Sequence, residues 1–206
     1  MINFKHSFYT VFHPNKGFDE MRYRNKISFT ASIFDIFAFA MLLIISQRYV
    51  GPQFEIVDTS KTNIFLSFFL SFFCVFLFCI SNWGFCVFLE GKAKLKEIWA
   101  FTAYSLVPYI MCGYIRVIFS NILVREESAF LSFMTIIGVI WSFYMLITAF
   151  MIFHEYEFSK AIVAFLLTIV GMVVCIALLF LLYSLFQQLF GTAATIYNEM
   201  IFRLRE

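Results

Sequence analysis

Residues 64–89 read IFLSFFLSFFCVFLFCISNWGFCVFL, an apolar run without one charged side chain. At 1.5 Å rise per residue a helix of this length extends about 39 Å, more than the roughly 30 Å hydrocarbon core of a bilayer. A helix at the surface of a soluble domain keeps a polar face, and this one has none on any side. The segment reads as a membrane span, and its neighbours are read outward from it.

Four further runs have the same character: Ile27 to Gln47, Ile98 to Phe119, Ala129 to Phe153 and Ala161 to Phe186. The third span in chain order, Ile98 to Phe119, is the weakest, being broken by Pro108 and carrying Arg116. Each must be helical, because backbone in lipid has to satisfy its own hydrogen bonds and the ten-residue alternation of a barrel is absent. Composition agrees: 62% of the 206 residues are apolar and only 14% charged, too little polar surface to cover a soluble core. The expected fold is all-α, an integral membrane bundle of five transmembrane helices with an amphipathic C-terminal interfacial helix. The chain divides into a cytoplasmic N-terminal segment with a short interfacial helix (1–26), a five-span domain (27–190) and the amphipathic helix (191–206).

The two terminal pieces carry the surface-helix signal. Ala193, Ile196, Tyr197, Met200, Ile201 and Leu204 recur at helical spacing, with Asn198, Glu199, Arg203 and Arg205 opposite. Phe4, Phe8, Val11 and Phe12 make a shorter version before Pro14, with Gly17 allowing a turn into Phe18. Orientation follows from Lys and Arg beside the spans. Lys5, Lys16, Arg22, Arg24, Lys26, Lys92, Lys94, Lys96 and Lys160 fall on one side; Arg48, Lys61, Arg116, Arg125, Arg203 and Arg205 fall on the other. The N-terminus is therefore expected in the cytoplasm and the C-terminus outside, with Trp83 and Trp99 as interfacial anchors around the Lys-rich loop.

Chemistry is sparse. No nucleophile turn, P-loop or glycine-rich fingerprint occurs, and His154, Glu155 and Glu157 begin like a zincin helix but lack the second histidine. Glu126 and Glu127 likewise lack the arginine that a paired-glutamate protease motif needs. The five cysteines lie inside apolar runs without metal spacing, and a net charge of +2 gives no basic excess for nucleic acid. No catalytic residue, metal or cofactor is expected. Asp35 is the informative ionisable group, since a carboxylate within a span costs roughly 2.5 to 3.5 kcal/mol on insertion scales. Asn82, Tyr104 and Ser105 match it in depth, so an intramembrane polar cluster of Asp35, Asn82, Tyr104 and Ser105 serves either as packing glue or as a proton or solute site.

Three segments together resemble the Yip family of five-span, Ypt-interacting membrane proteins: residues 13–18 (HPNKGF), residues 90–98 (EGKAKLKEI) running on to 104–109 (YSLVPY), and residues 154–161 (HEYEFSKA). The resemblance covers most of the chain and implies the same topology, N-terminus in the cytoplasm and C-terminus across the membrane. Family members with a long cytosolic N-terminal region carry an Asp-Leu-Tyr motif linked to Rab-type GTPases; that motif is absent here and a Rab-type partner is not expected. The short form resembles the bacterial branch, which accompanies other membrane systems, including carbohydrate importers. The implied role is accessory or scaffold, with another integral membrane protein, such as a sugar-transporter permease, and the lipid bilayer as partners. On this orientation Pro14, Gly17, Phe18, Glu90, Gly91, Lys92, Lys94, Lys96, Glu97, Glu155, Glu157 and Lys160 are expected on one cytoplasmic docking face. The alternative is a small proton-coupled transporter or channel around Asp35.

Overall fold

The computed structural model describes residues 4–24, 27–51 and 63–205. Lys26 and Lys61, two charges of the orientation argument, lie outside the described residues. Helices run in the order α1 (Phe4–Phe12), α2 (Pro14–Tyr23), α3 (Phe29–Arg48), α4 (Ile64–Phe88), α5 (Leu95–Ser120), α6 (Ser128–His154) and α7 (Phe158–Arg205), with a short 3-10 turn at Arg125–Glu127 before α6. Among the described residues there is no strand. Helices α3 to α7 are each long and apolar enough to cross a membrane. Their starts lie within three residues of the expected ones, set by local caps: Ser28 Oγ accepts the Ala31 N–H at 3.4 Å, and Asn63 Oδ1 accepts the Phe65 N–H at 3.0 Å.

Helix α5 forms the centre, packing most extensively against α6 and α3, while α7 packs on α4 and less on α6. Small residues bring these helices close, as expected where hydrocarbon surrounds the bundle. A Cβ on Gly138 of α6 would come within 2.9 Å of the Cys112 side chain and 3.3 Å of the Tyr109 backbone on α5. A Cβ on Gly171 of α7 would meet Ser81 and Phe85 of α4. Helix α5 continues through Pro108, and the Tyr109 N–H beside it donates to Ser142 Oγ of α6 at 3.0 Å. A neighbouring helix thus meets a backbone donor next to the proline.

The ends differ from the expectation in two ways. First, α1 and α2 do not lie flat on one end of the bundle. Helix α2 runs along the last part of α6 and α1 against α5; Phe18 packs on Phe153 at 6.1 Å between ring centroids, and Phe12 on Trp141 at 6.0 Å. Trp141 is thirteen residues from the His154 end of α6, so Phe12 packs about 20 Å along that helix. Ser7, Thr10 and Val11 turn inward, and Phe8 (53% exposed) and Phe12 (60%) turn outward, an inversion that suits a lipid-facing flank. Second, α7 has no break between 190 and 191. It is one helix of 48 residues, about 72 Å long, and the expected interfacial segment is its last part.

Candidate partner-docking face

The α4–α5 loop, the α6–α7 loop and the end of α2 meet at one end of the bundle, joined by charge. Arg22 of α2 places Nη1 2.6 Å from Glu97 Oε2 of α5 and Nη2 3.9 Å from Glu155 Oε1; Lys92 Nζ lies 2.5 Å from Glu155 Oε2. Arg22 and Glu97 are each only 15% exposed, so little water screens that pair. Glu97 also accepts the Lys94 N–H at 2.8 Å, capping α5. The hydrogen bond from Lys92, assisted by the charges of Lys92 and Arg22, holds the Glu155 carboxyl below the ordinary range.

Both loops leave their helices in the same way. The Gly91 N–H bonds the Cys86 carbonyl at 2.7 Å, and the Tyr156 N–H bonds the Met151 carbonyl at 3.1 Å, the six-to-one closure of a Schellman motif. The residues in the left-handed position are Glu90 (φ 59°) and Glu155 (φ 58°), where glycine is the usual occupant. Glu155 has its two cations. Glu90 is exposed and takes part in no ion pair among the described residues.

Beneath the loops lies a buried polar chain. Asn82 of α4 donates Nδ2 to Thr168 Oγ1 of α7 at 3.1 Å, and Thr168 donates to the Ala164 carbonyl at 2.7 Å. Asn82 Oδ1 is left to accept, so His154 at 3.1 Å donates through Nε2–H and is the neutral Nε2 tautomer, its Nδ1 buried without a hydrogen bond. Tyr156 stacks on His154 (5.1 Å, 13°), donates to the Cys86 carbonyl at 3.2 Å and lies beneath the Lys160 ammonium at 4.9 Å. Gly91 closes this layer: a Cβ there would sit 2.5 Å from His154 Nδ1 and 2.9 Å from the Cys86 carbonyl oxygen.

The expected docking residues thus separate. Glu90, Lys92, Lys94, Lys96, Glu155, Glu157 and Lys160 are exposed at this end, and Glu97 is partly buried beneath them. Gly17 and Phe18 are buried and do not lie on the face; Gly17 is needed for the approach of α2 to α1, since a Cβ would come within 2.8 Å of the Thr10 backbone. Pro14 opens α2 eight residues before Arg22, about 12 Å from it along the helix and away from the face. Arg22, His154 and Thr168, none of them among the expected docking residues, tie this end together.

The intramembrane residues also separate. Asp35, 8% exposed, accepts the Ser7 hydroxyl of α1 at 2.9 Å. Asn82 belongs to the His154 chain, and Ser105 donates within its own helix to the Phe101 carbonyl at 2.7 Å. Tyr104 is fully buried and its ring meets His6 edge-on at 6.5 Å. Asn82 and Ser105 thus turn to other partners, whereas Tyr104 lies within electrostatic reach of Asp35, both facing the start of α1.

The sequence matches the family described as Yip1 domain over residues 8–182, from α1 through the first half of α7. No curated protein and no solved structure matches it.

Proposed function

The chain belongs to the Yip1 domain family of multi-pass membrane proteins, and we propose that it acts without catalysis, as an accessory or scaffold protein of a cell membrane. In this reading the loop end faces the cytoplasm and the C-terminus lies outside, following the positive-inside rule. The protein binds and stabilises or regulates another integral membrane complex, such as the permease of a carbohydrate importer, through the exposed charges of Glu90, Lys92, Lys94, Lys96, Glu157 and Lys160.

The observation that carries this reading is Glu90. A side chain in the left-handed position costs roughly 1–2 kcal/mol, and Glu90 bears that cost with no ion pair among the described residues. A carboxylate kept there serves a charge outside the chain, and alternation with Lys92, Lys94 and Lys96 gives that charge pattern a register.

The test is extraction of the tagged chain from its native membrane in mild detergent, with mass spectrometry of stoichiometric companions. A defined membrane complex is expected with the wild type and with Asp35→Asn, and is lost when Glu90, Lys94 and Lys96 are reversed in sign. Recovery of the chain alone, together with solute flux that Asp35→Asn abolishes in a reconstituted preparation, would replace this reading with the transporter.

A further inference from the structure

Between α4 and α6, floored by α5 and roofed by the first half of α7, lies a cavity of about 240 Å³. Its wall is built from Val75 and Phe78 of α4, Leu106 of α5, Leu146 of α6, and Phe165 and Met172 of α7. Of its three hydroxyls, Ser105 donates to the Phe101 carbonyl, Ser142 accepts the Tyr109 N–H, and Thr102 Oγ1 is buried behind the wall without a hydrogen-bond partner. The surface on offer is close to hydrocarbon. Cys74 and Phe143 also line it and are exposed, marking where it opens on the flank of the bundle.

The place of the cavity in the fold decides what fills it. Every lining residue lies in a membrane-crossing helix; Val75 is eleven residues into the 25-residue α4, and Leu106 eleven into the 26-residue α5. At that depth the surrounding fluid is lipid tail. An apolar cavity of about 150 Å³ in a soluble protein stays dry and takes up hydrocarbon, and an empty one forfeits dispersion contacts along its lining. Opening on the flank of the bundle at that depth, the cavity faces polymethylene chains, whose flexibility and apolar surface match its lining.

We infer that this cavity is a binding site for one acyl chain of a bilayer phospholipid, entering past Cys74 and Phe143 and lying against α5. The site is separate from the charged loop end and stands whether or not that end docks a partner.

The test uses the full chain in nanodiscs containing a phospholipid with a mid-chain diazirine, followed by peptide mapping of the photoadducts. Adducts are expected to concentrate in residues 74–78, 142–146 and 165–172. Cys74→Trp and Leu146→Trp fill the site and should reduce that labelling at least fivefold, whereas Val173→Trp, on an exposed face outside the lining, should leave it unchanged. Labelling spread evenly over lipid-facing residues, including the outer half of α7, would overturn the inference, as would undiminished labelling in a filled variant that remains monodisperse. If Leu146→Trp does not fold, Cys74→Trp at the exposed mouth decides.

Discussion

Arg22 and Glu97, 75 residues apart in sequence, meet at 2.6 Å, and the same Glu97 oxygen accepts the Lys94 N–H. One carboxylate oxygen therefore holds α2 against the bundle and starts α5. Arg22→Ala should destabilise the fold by about 1.5–3 kcal/mol, as expected for a hydrogen bond to a charged group with little water around it. Reversible unfolding in mixed micelles measures this. Arg22→Glu combined with Glu97→Arg should recover part of the loss, though not the helix cap; no recovery would mean that the pair is not what joins the two helices.

Glu90→Gly and Gly91→Ala should act in opposite directions. Glycine at 90 relieves a left-handed side chain and should stabilise by about 1 kcal/mol, yet weaken recovery of the membrane partner. Alanine at 91 would push a methyl into His154 and the Cys86 carbonyl, and should destabilise by about 1–3 kcal/mol. Paired melting and co-purification on both variants separates the effect on the fold from the effect on docking.

Asn82→Leu removes both side-chain links of the buried chain. Interhelical hydrogen bonds in membranes contribute about 0.6 kcal/mol on average and up to about 1.7, so a loss of about 1–3 kcal/mol is expected for the two together. Nitrogen shifts of labelled His154 should report the Nε2–H tautomer in the wild type. A protonated Nδ1 instead would contradict the direction assigned to the Asn82–His154 bond.

Tyr156 gives an alkaline signature. Burial first, then the neighbouring Cys86 and Glu90, push its phenol well above the ordinary value of 10. The folded state holds this proton where the unfolded chain releases it, so stability is intact below pH 10 and falls as pH rises beyond it. Tyr156→Phe should flatten that part of the pH–melting profile; a slope unchanged by the substitution would assign it to another group.

Asp35→Asn keeps an acceptor for Ser7, and should change stability by less than about 1.5 kcal/mol while preserving co-purification. Ser7→Ala should loosen α1, read as faster proteolysis before Pro14.

The five spans were legible because lipid leaves so few options: long apolar runs with at most one charge have to be helices. The convergence of the two loops was also legible, through their side of the membrane. What failed was azimuth. Counting residues gives depth, so Asp35, Asn82, Tyr104 and Ser105 fell at one level, but the direction in which each faces depends on which helices neighbour it. Asp35 turns to α1, and Asn82 turns to α6 and α7. The inward setting of α1 was hidden for the same reason, since Ser7 finds its partner 28 residues away. The continuity of α7 is not legible in the pattern from Ala193 to Leu204, because an amphipathic face fits a surface helix and the end of a longer rod alike, and no proline separates the two.

That continuity leaves α7 half inside the bundle and half outside it. Its first residues follow directly on Glu155, which Lys92 and Arg22 hold, and from Ile176 onward every described side chain of the helix is exposed. At 1.5 Å per residue the last thirty residues carry about 45 Å of helix whose surface no other described helix covers.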